Sequence, residues 1–275
     1  FMKRQGDYFM KKTLIALTVA ASAAVSGSAM AWNPSGLGGN GGTFSMSGTL
    51  SKTEKTIPWA VEIGAPVTAL DVSVKPDQKN VFILLEKDIP ILGIRSNPTG
   101  FMGEKGIAPQ IDYNKAADVD YMDKGNLPAQ VNVTSSDGKK IGTLAFVMRV
   151  ACQASEKRGE GDDKLESNML FASSKGKAFF GGVAKDDKGV WSDAAAYTWA
   201  THLFSSIANS WDTKIPYTAG DTDETDFSNG DRLYRGYYAS GLAKDIPMEL
   251  VLDQTITSAT PVPWKASLPI VISYM

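Results

Sequence analysis

The sequence predicts an all-β fold of the sandwich or barrel type. Three observations carry that reading. Short segments alternate apolar and polar residues with a period of two, turn-forming residues separate them, and a helical apolar stripe occurs in one stretch only. No internal repeat suggests a solenoid or a propeller. The chain has 275 residues, a formal net charge of −2, one cysteine and one histidine. That length suits one large all-β domain or two small ones. The charge argues against nucleic acid or anionic lipid as a partner, because both select a basic patch.

The elements follow in order. Met10-Lys11-Lys12 precedes the apolar run from Leu14 to Ala21, and small residues end in Ala29-Met30-Ala31. A basic start, a short apolar core and an A-x-A site predict a secretory signal peptide cleaved after Ala31. The run is too short for a bilayer span of about 20 residues. Residues before Met10 read as lying upstream of the true start. The stretch from Trp32 to Gly42 is rich in Gly and poor in apolar residues, too poor to fold alone. Phe44, Met46, Gly48 and Leu50 then alternate with Ser and Thr, which predicts a strand over 43–50 with one buried face.

Further strands are expected over 69–74, 81–85 and 130–134. A turn at Ser136-Asp137-Gly138-Lys139 leads into a partner strand over 141–150. Cys152 ends an apolar run, reads as a buried structural thiol, and permits no internal disulfide. The charged stretch 155–164 reads as an exposed loop. Ser192-Asp193 predicts the cap of a helix running to about Ser210, with Ala196, Trp199, Ala200, Leu203, Phe204, Ile207 and Ala208 on one face. Strands over 248–253 and 268–275 close the chain. Leu268, Ile270, Ile272 and Tyr274 share a face of the last one.

Catalytic and metal chemistry finds little support. His202 falls roughly opposite the helical stripe and reads as solvated, with no serine and acid pattern around it to make a triad. One His and one Cys do not make a zinc site of the usual ligands. Asp221, Asp223 and Thr225 have the oxygen spacing of a calcium loop. Asp226 and Arg232 stand where that loop requires Gly and Glu, so a solvated acidic loop is expected. The glycines at 38–42 precede a strand and lack the helix N-terminus that holds phosphate. No metal, cofactor or catalytic residue is therefore expected.

The remaining feature is positional: a Gly-rich arm leads into an alternating strand at the mature N-terminus. Such a strand either adds to the open sheet edge of another subunit or folds as the first strand of its own domain, and the pattern does not separate the two. A resemblance separates them. The signal segment, Trp32 as first mature residue and the Phe44, Met46, Gly48, Leu50 spacing are similar to those of the FaeG family. So are Pro90-Ile91-Leu92-Gly93 with Arg95, Pro109-Gln110-Ile111, Phe179-Phe180-Gly181-Gly182 and the helix from Ala194 to Phe204. In the tail, Trp264, Ala266, Leu268, Ile270, Ile272 and Tyr274 fall in step with that family. Its members are subunits of thin flexible fimbriae built by the chaperone–usher route.

The resemblance implies an incomplete immunoglobulin-like β-sandwich with an inserted helical and loop region, completed by donor-strand exchange. It implies a cleaved segment 1–31, a donor extension 32–51 and a pilin domain 52–275 with a helical insert at about 190–211. The expected partners are neighbouring subunits, a periplasmic chaperone gripping Leu268, Ile270, Ile272 and Tyr274, and an outer-membrane usher. The chain is expected to be exported to a surface fimbrium. Tyr274 fits the aromatic common near the end of such subunits, whereas Val262 stands where many carry Gly. The resemblance implies that a major subunit would also bind host glycoproteins or glycolipids, for which Trp191, Tyr217 and Phe227 are the candidate exposed aromatics. Two alternatives stand beside this reading. One is a minor subunit without receptor binding. The other is a secreted carbohydrate-binding protein or β-sandwich enzyme, which as an enzyme would hydrolyse through a carboxylate pair.

Overall fold

In a computed structural model the structure describes residues 45–50, 55–158, 165–211, 221–258 and 260–275. Contacts divide the chain into two units, residues 1–53 and residues 54–275. The predicted signal segment, Phe44 and Tyr217 lie outside the described residues. Of the first unit, residues 45–50 carry no regular secondary structure, and Met46, Gly48 and Leu50 are exposed. The strand expected over 43–50 is therefore not a strand among those residues. Alternation marks which side chains would share a face, but ladder hydrogen bonds need a neighbouring strand.

The second unit is an all-β sandwich. Its first strands are β1 (Trp59–Ile63), β2 (Asn80–Ile83), β3 (Ile89–Ser96), β4 (Phe101–Met102) and β5 (Pro109–Asp112). The long hairpin β6 (Asn126–Ser135) and β7 (Lys140–Arg158) follows, then β8 (Leu165–Leu170). Next come the helix α1 (Ala195–Leu203), β9 (Thr222–Asp223), β10 (Arg232–Leu242) and β11 (Met248–Leu252). The chain ends in β12 (Trp264–Ala266) and β13 (Val271–Tyr274). The strand expected over 69–74 has the alternation but is not a strand: Leu70, Val72 and Val74 are half-buried, and Asp71 and Ser73 are exposed.

β7 organises the sheet because its two halves take different neighbours. Residues 140–149 pair with β6, and Gly142–Ala145 also pair with β11, which carries β2 at the edge. Residues 149–158 pair with β10, and Gln153–Lys157 also pair with β8. β10 in turn pairs with β3, and β3 with β1. One long strand thus serves two leaves, β2-β11-β7-β6-β12 and β1-β3-β10-β7-β8-β9, while β13 pairs with β5 separately. The exposed loop expected from Ser155 is corrected here. Ser155 is buried, and the strand continues to Arg158 because β10 and β8 flank it. Ala151 to Ser155 are buried in an unbroken run, and the charged Glu156 and Lys157 that follow are half-buried between those neighbours, which composition alone hides.

The leaf containing β10 is covered on both faces. On one face Tyr238, Cys152, Ala154, Leu92 and Ile94 enter the main core. On the other, Tyr237, Ala239, Ala151 and Met169 meet Ala196, Trp199, Ala200, Phe204 and Ile207 of the insert. This double coverage explains the almost continuous burial of β10, since a strand covered on both sides has no solvent row. Cys152 is buried as expected, and desolvation raises its thiol pKa.

The predicted single helix is shorter than expected. α1 ends at Leu203, and a 3-10 turn runs over Ser205–Asn209. Phe204 between them is extended, at φ −133° and ψ 90°, and its ring lies against Gly93. A Cβ at Gly93 would stand 2.8 Å from that ring, so the glycine admits the close approach. The Asp193 carboxylate accepts from the Ala195 N–H at 2.8 Å near the start of the helix. No described helix is long and apolar enough to cross a membrane.

Candidate functional site

The sequence of β1, Trp-Ala-Val-Glu-Ile, places Trp59, Val61 and Ile63 on one face. Cross-strand pairing identifies that face. Val61 lies opposite Ile94 and Ile63 opposite Leu92, and directly opposed residues share a face. Leu92 and Ile94 are fully buried core residues, yet Val61 is 41% and Ile63 54% exposed. Trp59, at the start of the strand, is covered. Its indole N–H donates to the Ile107 carbonyl at 2.8 Å, and its ring meets Phe101, Phe179 and Phe227 at 5.1 to 5.5 Å. The core-facing side of β1 is thus closed at one end and open along the rest.

The last strands show the same partial cover. From Trp264 to Tyr274 every even-numbered residue is half-buried, and every odd-numbered one is exposed. Trp264, Ala266, Leu268, Ile270, Ile272 and Tyr274 all pack against the main core without being enclosed by it. β13 is held by β5: Ile272 pairs with Ile111 and Tyr274 with Pro109. Met275 and Ala108 exchange two backbone hydrogen bonds, each at 3.1 Å. Partial desolvation raises the Tyr274 phenol above its usual range. Leu70, Val72 and Val74 form a third half-covered row against the same core. A row of this kind can gain burial from an added apolar strand, each fully buried Leu, Ile or Val contributing about 1.5–3 kcal/mol.

Of the aromatics expected at a receptor surface, Trp191 and Phe227 are among the described residues. Phe227 is a correction: it is fully buried, with its ring centroid 5.3 Å from Tyr234 and 5.5 Å from Phe101. Its loop is polar in sequence, but it turns one aromatic inward at a positive φ of 55°. Trp191 is half-buried, and the Arg149 guanidinium lies 5.4 Å from its ring centroid and 5.6 Å from that of Trp199.

The acidic loop spends its carboxylates on its own fold. Glu224 accepts from the Ser173 N–H at 3.0 Å and the Ser173 hydroxyl at 2.6 Å, and pairs with Lys177 at 3.2 Å. Asp226 accepts from the Ser228 N–H at 3.0 Å. His202 is exposed on α1 and reaches Asp88 at 3.2 Å, and Asp88 also accepts from the Lys244 N–H at 2.9 Å. Among the described residues no group of three His, Cys, Asp or Glu side chains is placed to hold a metal ion.

Residues 10–275 match the family described as fimbrial, major and minor subunit, of the K88 type. The chain belongs to this fimbrial subunit family. K88 fimbrial protein AC of Escherichia coli is 28% identical over 298 residues, covering 96% of this chain and 100% of that protein. K88 fimbrial protein AB of Escherichia coli is 27% identical over 293 residues, with the same coverage. The resemblance read from the tail and the internal segments therefore holds across nearly the whole length. Within this fimbrial subunit the open face of β1 is the feature the sequence reading passed over. Its period-two signal was present in Trp59, Val61 and Ile63 but spans only five residues. Nothing in it tells which face lacks a cover.

Proposed function

We propose that the chain is a non-enzymatic fimbrial subunit that polymerises by donor-strand exchange. Phe44, Met46, Gly48 and Leu50 of one copy complete the sandwich of the next. The observation that supports this most is the pair Val61 and Ile63, which lie opposite fully buried core residues and are yet exposed themselves. The half-covered rows at Leu70 to Val74 and Leu268 to Tyr274 lie against the same core. In this reading the segment 1–31 is removed on export, 32–51 is the donor extension, and 52–275 is the acceptor domain carrying the insert at about 190–211. A periplasmic chaperone covers Leu268, Ile270, Ile272 and Tyr274 until an outer-membrane usher replaces it with the next subunit. Main-chain hydrogen bonds then supply general affinity, and alternate side chains supply selectivity. The mature polymer is a surface fimbrium that needs no cofactor.

The test is deletion of residues 43–50. The variant is captured by the chaperone and fails to form fibres; fibres assembled from it would rule out the donor assignment. A second role as adhesin for host glycoproteins or glycolipids has Trp191 as its described candidate, since its ring is half-exposed beside a cation. A glycan array on the strand-complemented subunit tests it: Trp191→Ala loses binding, and an unchanged array would remove Trp191 from the reading.

A further inference from the structure

We infer that Asn229 is a self-modifying site, at which the chain converts its own asparagine to aspartate and isoaspartate. Asn229 and Gly230 are both exposed, in the loop that leads into β10. The Asp231 N–H donates to the Asn229 side-chain carbonyl oxygen at 3.0 Å. That contact folds the side chain forward over the next residue and polarises its carbonyl. A fixed N–H donor is also what the oxyanion of an attacked amide requires. The nucleophile is the main-chain nitrogen of Gly230, an exposed residue with no side chain of its own to hinder attack, and the reaction is intramolecular.

The step balances without an external oxidant or reductant. The Gly230 nitrogen attacks the Asn229 side-chain carbon, and a C–N bond forms to close a five-membered succinimide. The side-chain nitrogen leaves as ammonia, carrying the proton lost from Gly230. Water then opens the ring at either carbonyl. One opening gives aspartate; the other gives isoaspartate, with one more carbon in the main chain. Asp137-Gly138 has a similar sequence in the β6–β7 turn, and its carboxylate likewise accepts from the N–H two residues on, that of Lys139, as well as from the Ser135 hydroxyl. It offers no ammonia as leaving group.

The consequence follows from the packing of the loop. The Asn229 main-chain carbonyl lies so close to Gly103 that a Cβ there would meet it at 2.1 Å. The Arg232 N–H donates to that carbonyl at 3.2 Å, and Gly103 N–H donates to the Arg232 carbonyl at 3.1 Å. An extra main-chain carbon displaces these contacts beside the β4–β10 pairing.

The experiment is incubation of the purified full chain at 37 °C in mildly alkaline buffer, followed by peptide mapping and isoaspartyl methyltransferase labelling. Mapping separates residue 229 from the other Asn-Gly pair, Asn40-Gly41. Isoaspartate at 229 is expected to grow with time and to be lost in Gly230→Ala. That variant is compatible with the fold, because its Cβ would meet only the Gly103 carbonyl at 3.6 Å. Asn229 left intact while Asn40 converts overturns the inference, and so does equal conversion in Gly230→Ala. The isoaspartyl fraction is expected to melt at a lower temperature than the unaged chain; an identical melting curve overturns the structural consequence.

Discussion

At the residue scale, single side chains close the pole of the sandwich. Phe227 holds a left-handed backbone that a non-glycine residue adopts at a cost of order 1–3 kcal/mol. Burial of its ring among Trp59, Phe101 and Tyr234 offsets that cost. Phe227→Ala is expected to lose about 3–5 kcal/mol in urea denaturation, keeping the strain while removing the ring. Gly93→Ala pushes against the Phe204 ring, and a loss of about 1–3 kcal/mol is expected. Shortening Phe204 in the same chain relieves it, which a double-mutant cycle measures. The Glu224 carboxyl gives a pH dependence. Burial alone would raise its pKa, but the Ser173 hydroxyl and N–H together with Lys177 outweigh burial and hold it below the usual value. A depressed folded-state pKa contributes stability above the unfolded pKa, and that stability is lost as pH falls through the folded one. Glu224→Gln is therefore expected to flatten the acid limb of the stability profile, and an unchanged limb would show that the tie to Ser173 contributes nothing.

At the scale of elements, the hairpin and the apolar row of the tail were legible because their alternation is long, although the strand expected over 268–275 is a strand only over Val271–Tyr274. β6 and β7 span the predicted turn, and the even-numbered row from Trp264 to Tyr274 runs through both β12 and β13. The ends of elements were not legible. β7 gains residues past Ser155 from the neighbours that flank it, and the helix loses its last turns to the close approach of Phe204 and Gly93. β1 offers a direct comparison, because Ile63 and Leu92 oppose each other on one face but differ in cover. Ile63→Asp is expected to cost the isolated subunit less than about 1 kcal/mol, whereas Leu92→Asp buries an unpaired charge and costs more than about 4 kcal/mol. Chemical denaturation of both variants measures the difference, and equal losses would mean that β1 is closed.

At the scale of the whole molecule, an open apolar surface makes the stability of the subunit depend on what binds it. A ligand that binds only the folded state adds about 2.7 kcal/mol at a hundredfold excess over its dissociation constant. A peptide copying Thr43 to Leu50 is therefore expected to raise the melting temperature of a chain lacking that segment in a concentration-dependent way. The Ile63→Asp variant should respond less. A melting temperature indifferent to the peptide would show that the open face of β1 does not take this segment.

The sequence by itself determined the β class, the helical insert, the burial of Cys152 and the apolar row of the C-terminal strand. Each of these is a local period or a composition, and short-range geometry translates it directly into a face. The tertiary structure alone decided that Phe227 is enclosed, that β7 continues to Arg158, and that Val61 and Ile63 face the core without being covered. A period of two states which residues share a side of a strand. Only the packing of distant segments states whether anything lies across from them.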